Sequence, residues 1–543
     1  MDQRSRRRRP TSSTLGMAAL AAAMAACLPR GAPPGGRQVV ADRQATLEAI
    51  VPPNGDGVLR ILILKPGALD PGTMTNSQDL YLVSVAPGDG PPSEQLLVPD
   101  ADPQDDFGCI NRVAPCGFIA PSGILWVYTT SGGMRVNPFT GEKLALQSVP
   151  QSSASGQRFF VGTSTGGTLY EPDGSTVAID LAPPSSSGGI GYGPGYGSPT
   201  VFFGEDFYYV TPQAELVRLP PSDVPEQLAT GIAGFSGSPT PDGILLILSR
   251  ATSDPSVQAL SVRDPLTGTE TVLPFSNPPS VAPDGQWLLD TDTSSGSLTF
   301  FNFRSGVQQI VALPELGAYP FILSEWRPGT SQLWFTVGSY GATPAVWIVS
   351  PGGSPISVPG VRWIGLGNFD LELGGFTPDG AHWFFTASGE DTNTPLIQVG
   401  AADAPTGSGF PVNPQGTMIS GAWSLADGRV LTSVYTDFEP RSDLFAVDPN
   451  TGESVQLAER GRVAAVGNTR LVGMFHFDPN YRGDLTTVEL DNGQQTILAP
   501  EFAVTAFVEP QGADLVPPGA RVVYQFQART DSPYDGIWVV SSP

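Results

Sequence analysis

The stretch SVAPDGQWLLD, residues 280–290, places a tight turn in front of an apolar strand. Pro presets φ for a turn, Asp bonds to the backbone that follows it, and Gly accepts a positive φ, so Pro-Asp-Gly predicts a hairpin turn. The apolar residues after it predict a strand. Asp284 is therefore interpreted as a turn residue and not as a carboxylate placed for chemistry.

The same pattern recurs along the chain. It opens TPDGILLILS at Pro241 and TPDGAHWFFTA at Pro378, and looser versions begin at residues 121, 328, 426 and 518. A second signature, a strand, a Gly-containing turn and another strand, follows about twenty residues later, as in SDLFAVDPNTGESVQLAE, residues 442–459. Together the two signatures predict four short strands per repeat unit.

Eleven turns serve as anchors of these units. They lie near residues 54, 121, 154, 204, 241, 283, 328, 378, 426, 466 and 518. Their mean spacing of about 46 residues is typical of propeller blades. We predict an all-β β-propeller built from about ten or eleven four-stranded antiparallel blades of ~40–50 residues. Two packed rings with a boundary within 230–280 are favoured, and one large ring is the alternative.

The paired signatures resemble the repeats of TolB-like and WD-like β-propellers. The resemblance covers nearly everything from residue 50 to 543 and is clearest from 236 to 460. It implies a propeller fold and, from the role of TolB-like proteins, a part in complexes of the cell envelope. It carries no catalytic residues. The last unit ends after three strands, so RQVVADR, residues 37–43, is predicted to supply the fourth strand and close the ring.

Composition limits the function. The 543 residues include 64 Gly and 55 Pro, which favours many turns between short strands. Asp and Glu number 52 against 28 Lys and Arg, which gives a formal charge of −24. Nucleic-acid binding requires clustered basic residues, so we exclude a nucleic-acid partner.

The N-terminal residues are interpreted as a signal peptide. Arg4 and Arg6–Arg9 precede the apolar residues 15–26, and Cys27 follows. This order resembles a bacterial lipoprotein signal peptide, which implies a lipidated Cys27; an ordinary signal cleaved near Ala26 is the alternative. We assign residues 1–26 to the signal peptide, 27–50 to a tether and 51–543 to the propeller region. The protein is expected to be exported, either as a membrane-anchored lipoprotein of the periplasm or outer membrane or as a secreted protein.

Two further cysteines, Cys109 and Cys116, remain in the exported chain. An even pair in an oxidising compartment predicts a disulfide. Metal binding by two thiolates is the competing interpretation, but a zinc site usually needs four ligands.

Candidates for catalysis are few. The two histidines, His382 and His476, lie among aromatic residues and are interpreted as packed strand residues. GFSGS (234–238) misses the nucleophile elbow by one residue, and TPDGAHW (377–383) lacks one residue of a sialidase-type Asp box. We therefore predict no catalytic residues and no cofactor.

Two acidic stretches are candidate calcium sites. DTDTSSG (290–296) starts like a calcium loop, but Phe301 stands where the last ligand belongs. The other stretch clusters the acidic residues Asp100, Asp102, Asp105 and Asp106. Both are interpreted as solvated turns, so no metal site is predicted.

The expected function is non-catalytic: a lipid-anchored propeller that binds or scaffolds a protein, peptide or glycan partner. The alternative is a secreted hydrolase or lyase that acts on carbohydrate or peptide with carboxylates in the funnel.

Overall fold

The computed structural model describes most of residues 36–543. Its gaps are residues 70–75, 89, 102–117, 130–131, 147–149, 164, 183–199, 222–223, 253–257, 276, 293–296, 313–319, 340–344, 363–373, 389–394, 404–407, 412–417, 436–441, 479–481, 510–514 and 529–531. Every regular element in the described part is a β-strand, 42 in number. In these residues no helix has the length and apolarity needed to cross a bilayer.

The strands pair into eleven four-stranded antiparallel blades, numbered here in chain order. Blades 1 to 4 consist of β2 (Thr46–Val51), β3 (Leu59–Leu69), β4 (Asn76–Val85) and β5 (Ser93–Ala101); β6 (Phe118–Ile119), β7 (Leu125–Thr129), β8 (Gly132–Val136) and β9 (Lys143–Leu146); β10 (Gln151–Ser152), β11 (Phe159–Thr163), β12 (Gly166–Tyr170) and β13 (Thr176–Asp180); and β14 (Thr200–Phe203), β15 (Asp206–Val210), β16 (Glu215–Leu219) and β17 (Glu226–Thr230).

Blades 5 to 8 repeat the arrangement. They consist of β18 (Gly234–Thr240), β19 (Gly243–Ala251), β20 (Gln258–Arg263) and β21 (Glu270–Val272); β22 (Ser280–Val281), β23 (Trp287–Asp292), β24 (Ser297–Asn302) and β25 (Val307–Ala312); β26 (Pro320–Trp326), β27 (Leu333–Ser339), β28 (Ala345–Val349) and β29 (Ile356–Arg362); and β30 (Gly374–Phe376), β31 (His382–Ser388), β32 (Pro395–Ala401) and β33 (Ser408–Pro411).

Blades 9 to 11 share two long strands. The strands are β34 (Met418–Ser424), β35 (Val430–Tyr435), β36 (Ser442–Val447), β37 (Ser454–Val466), β38 (Arg470–Phe475), β39 (Gly483–Glu489), β40 (Gln495–Val508), β41 (Arg521–Phe526), β42 (Gly536–Ser541) and β1 (Arg37–Val40). The first half of β37 is the fourth strand of blade 9, and its second half is the first strand of blade 10. β40 joins blades 10 and 11 in the same way.

The eleven predicted anchors are confirmed, since each falls in or directly beside the turn between the first two strands of a blade. The local chemistry is that of SVAPDGQWLLD. Asp284 accepts a hydrogen bond from the Gln286 N–H at 3.0 Å, and Gly285 has a φ of +70°. A side chain at Gly285 would approach Thr240 of the preceding blade within 2.7 Å, so this turn needs glycine for packing as well as for φ.

Apolar side chains fill the space between consecutive blades. The described residues form eleven buried apolar clusters, and each combines residues from two neighbouring blades. One of them joins Val523 and Ile537 of blade 11 to Leu47 and Ile61 of blade 1. The packing continues through residues 230–280, where a boundary was expected. The contacts therefore form one closed cycle. This corresponds to one large ring, the alternative to two packed rings.

The ring closes through the N-terminal strand. β1 pairs antiparallel with β42, with Arg37 opposite Val539, and so becomes the fourth strand of blade 11. Residues 37–50, assigned to a tether from the sequence, instead hold β1 and most of β2. The buried Gln525 side chain adds a second link, because its amide donates to Ala45 O and accepts from Leu47 N–H of blade 1.

Candidate functional site

The antiparallel order gives the ring two different ends. Turns between first and second strands and between third and fourth strands lie at one end, called here the turn end. Connections between second and third strands and between successive blades lie at the other, called the crossover end.

At the turn end, four polar side chains meet where blade 8 contacts blade 9. Ser424, the last residue of β34, lies 2.9 Å through Oγ from His382 Nδ1 and 2.7 Å from Asp379 Oδ1. Thr377 Oγ1 lies 2.7 Å from the same carboxylate oxygen and 3.0 Å from Ser424 Oγ. Ser, His and Asp in contact invite comparison with a nucleophilic triad.

The direction of the hydrogen bonds argues against a triad. A carboxylate only accepts, so Ser424 gives its single proton to Asp379, and His382 must donate Nδ1–H to Ser424. Burial raises the pKa of Asp379, but the Ala381 N–H and the two hydroxyls outweigh it and hold that pKa below its ordinary value. Burial lowers the pKa of His382, against the opposing effect of Asp379.

A serine nucleophile must instead donate to an imidazole acceptor that is oriented by the carboxylate. Here the imidazole is the donor and the hydroxyl is used by Asp379. The network joins the second strand of blade 8 to the first strand of blade 9. His382 is half-buried at the start of its strand, as the packed interpretation requires.

Arginines occupy the corresponding place at other interfaces. Each lies at or next to the turn that precedes the second strand of a blade and donates to a backbone carbonyl of the next blade. The pairs are Arg158 to Leu219 O at 3.1 Å, Arg327 to Gly380 O at 2.7 Å, Arg429 to Leu490 O at 2.6 Å and Arg521 to Gly57 O at 3.2 Å. The His382 network is therefore one of several polar links between blades at the turn end.

The link at Arg158 is the most deeply buried. Its Nε and Nη2 lie 2.7 and 2.6 Å from the carboxylate of Glu171, and the two side chains are 1% and 4% exposed. A second guanidinium hydrogen bond reaches the carbonyl of Glu205 in blade 4. A buried guanidinium needs this full set of acceptors to offset its loss of water.

The crossover end carries a cluster that sequence reasoning missed. His476 was expected to be a packed strand residue, which is wrong. It lies just beyond β38, exposed, with a φ of 59°, while Phe475 and Phe477 on either side are buried. Its Nδ1 lies 3.2 Å from Asp484 Oδ2. Because the chain reverses between the buried aromatic rings of Phe475 and Phe477, the imidazole of His476 points toward solvent.

The two connections between blades beside His476 share one arrangement, an aspartate that accepts from the backbone N–H of a left-handed residue. The Asp443 carboxylate accepts from Arg460 N–H at 2.8 Å, and Asp484 accepts from Glu501 N–H at 2.6 Å. Arg460 and Glu501 have φ values of 43° and 63° and are exposed. A left-handed conformation costs a residue with a side chain about 1–2 kcal/mol. We call Asp443, Arg460, His476, Asp484 and Glu501 the crossover cluster.

The cluster is continuous. Phe477 N–H donates to Arg460 O at 3.0 Å, which connects the His476 segment to the first crossover. Asp484 connects His476 to the second crossover, at Glu501, because one carboxylate oxygen contacts the imidazole and the other accepts from the Glu501 N–H. The sequence holds a signal for it in the matching stretches RSDLFAV and RGDLTTV, each with Asp seventeen residues before the left-handed residue.

The remaining candidates from the sequence do not form a catalytic or metal site in the described residues. Ser236 lies in β18 opposite Ile247, in a strand and not a nucleophile elbow. Phe301 is buried in β24, which leaves the calcium-like loop without its last ligand. Within the described residues no three His, Cys, Asp or Glu side chains are grouped closely enough to hold a metal ion. Cys27, Cys109 and Cys116 lie outside the described residues, as do the acidic residues Asp102, Asp105 and Asp106.

No protein-family model and no curated protein matches the chain. Matching solved structures include dihydro-heme d1 dehydrogenase NirN in complex with DHE, 15% identical over 82% of this chain and 86% of that chain, TM-score 0.28. An oligogalacturonate lyase from Vibrio parahaemolyticus is 13% identical over 56% and 89%, TM-score 0.27. Streptogramin B lyase is 13% identical over 52% and 89%, TM-score 0.25.

These neighbours are propeller-type folds, and at such identities and TM-scores they carry no information about ligand or activity. The strand pairing of the chain itself defines its class. It is an all-β propeller, and its described residues form eleven four-stranded blades.

Proposed function

We propose that this protein is an exported, lipid-anchored propeller that binds a protein, peptide or glycan partner of the bacterial cell envelope without catalysis. The observation that carries the proposal is the crossover cluster. Three exposed charged or ionisable side chains stand there on left-handed backbone, and two aspartates accept from the backbone N–H of Arg460 and Glu501. Backbone strain of this kind persists only where the surroundings impose it, and it is frequent at binding surfaces.

The polar network at the turn end supports the proposal that the protein acts without catalysis. Ser424 bonds to both His382 and Asp379 across two blades, so the hydroxyl, Nδ1 and the carboxylate are used for assembly. The basic, apolar, small-residue and cysteine order before Cys27 supports export and lipidation. A rigid ring then presents the crossover cluster as a contact surface.

The anchor is tested by the mass of the mature N-terminus. The full chain expressed with its own signal should carry an acyl-modified Cys27, and a Cys27→Ala variant should lose both the modification and membrane association. An unmodified Cys27 in the wild-type chain contradicts the anchor.

Binding is tested by cross-linking in intact envelopes. The variant Arg460→Asn, His476→Asn, Glu501→Asn removes the three side chains, and Asn tolerates left-handed φ. We expect a partner cross-linked to the wild type to be lost from this variant. It should be retained by the turn-end control Glu453→Gln, Asp491→Asn, two exposed residues in turns of blades 9 and 10. Equal cross-linking of both variants contradicts the assigned surface.

A further inference from the structure

We propose that the turn end of the ring faces the membrane and that the crossover end, with its cluster, faces away from it. This orientation rests on the proposed lipid anchor at Cys27. It adds to that proposal the side of the ring that meets the lipid surface and the side that is open to a partner.

The chain enters the ring at the turn end. Arg37, the first residue of β1, donates to Gly88 O at 3.1 Å and also to Gly90 O, both in the turn that joins β4 to β5. It pairs with Val539, close to the end of β42 at Ser541. β1 then runs toward the crossover end, where residues 41–45 lead into β2.

The entry point is fixed in direction as well as in place. Gly36 has a φ of +94°, and a Cβ there would lie 2.3 Å from Val539 O. No other residue fits this backbone without a shift. Gly36 therefore enters the ring packed against β42, the third strand of blade 11.

The distance to the anchor is short. Ten residue steps separate Cys27 from Arg37, which span at most about 36 Å when fully extended. To place the lipid at the crossover end, this segment would have to run back along blade 11, whose strand β42 alone is about 20 Å long. A bilayer at the turn end is reached without that reversal.

The test uses lipidated full-length protein reconstituted into phosphatidylcholine vesicles that carry a nitroxide on the headgroup. One fluorophore is attached at Pro53→Cys, at the turn end, or at Ala41→Cys, at the crossover end, in a Cys109→Ser, Cys116→Ser background. Both sites are exposed and flank β2. We expect about threefold or stronger quenching at position 53, since β2 separates the two sites by about 20 Å.

The outcomes separate the two proposals. Mass measurement first establishes whether Cys27 is acylated, and Cys27→Ala protein with the same labels gives the quenching without an anchor. Acylated protein with equal quenching at both positions, or stronger quenching at position 41, overturns the orientation and leaves the anchor intact. Unacylated wild-type protein overturns the anchor and the orientation with it.

Discussion

Arg158 shows how much one side chain contributes between blades. Its ion pair with Glu171 is almost wholly buried and is completed by carbonyls of blade 4. An Arg158→Met variant leaves the Glu171 carboxylate buried without its cation. We expect the free energy of unfolding to fall by about 3–5 kcal/mol, the usual cost of a broken buried pair. Urea unfolding of purified protein measures it.

The double variant Arg158→Met, Glu171→Met serves as the control. Replacing both charges by apolar side chains of similar size should recover most of the loss, because no unpaired charge remains. If the double variant is as unstable as the single one, the loss comes from the carbonyl contacts and not from the ion pair.

Ser424 tests the network between blades 8 and 9. Ser424→Ala removes the hydroxyl bonded to Asp379 and His382, and we expect a loss of about 1–2 kcal/mol at neutral pH. Because the pKa of Asp379 in the folded protein lies below its ordinary value, the stability it contributes is present above the ordinary value. That stability is lost as pH falls through the folded value.

The measurement is thermal unfolding of wild type and variant from pH 7 down to the lowest pH at which both stay folded. The difference between the two should shrink as Asp379 becomes protonated, since the wild-type advantage depends on the carboxylate. Ser350→Ala, at an exposed serine in a turn of blade 7, should show no such pH-dependent difference. A Ser424→Ala deficit that stays constant over this range contradicts the assignment.

At the scale of strands, β1 is a four-residue element with a large predicted effect. Val39 and Val40 are 7% and 5% exposed in the cluster between blades 11 and 1. A chain that begins at Arg43 loses both side chains and the pairing with β42. We expect about 3–6 kcal/mol of stability to be lost, from burial of two such side chains, read as a marked drop in melting temperature.

A chain that begins at Gly36 is the matched control, since it keeps β1 and lacks only the preceding residues. It should melt like the mature protein. An unchanged melting curve for the chain from Arg43 would show that β1 is dispensable for closure.

The strands were predictable because each turn carries its own chemistry. Residues such as Asp284 and Gly285 specify a hairpin within a few positions, and this pattern repeats often enough to locate every blade. Links between blades have no such local signal. Ser424 lies 42 residues from His382, and Arg429 lies 61 residues from Leu490. Their partners become known only once the blade period places one turn beside the next.

The crossover cluster escaped prediction for a different reason. His476 stands among aromatic residues that predict a buried strand, and both neighbours are indeed buried. A single left-handed residue is enough to turn the side chain outward, whereas the aromatic residues around His476 favour a regular strand. The repeated Asp in RSDLFAV and RGDLTTV is the sequence feature that indicates the crossover cluster.

At the scale of the whole molecule, closure distinguishes this ring from an open array of repeats. In an open array each unit contacts only its neighbours and the terminal units need caps. Here blade 11 packs on blade 1 through an apolar cluster and through Gln525. The first and last segments of the chain therefore stabilise one another.

This arrangement predicts that the position of the termini is unimportant as long as all strands are present. β1 lies antiparallel beside β42, so residues 36–44 can be moved to follow Pro543 through a short glycine linker, with the new chain starting at Ala45. Because the permuted chain restores the fourth strand of blade 11, it should melt close to the chain that begins at Gly36 and well above the chain that begins at Arg43. A permuted chain as unstable as the truncated one would mean that β1 stabilises the ring through its covalent link to β2, and that pairing with β42 contributes little.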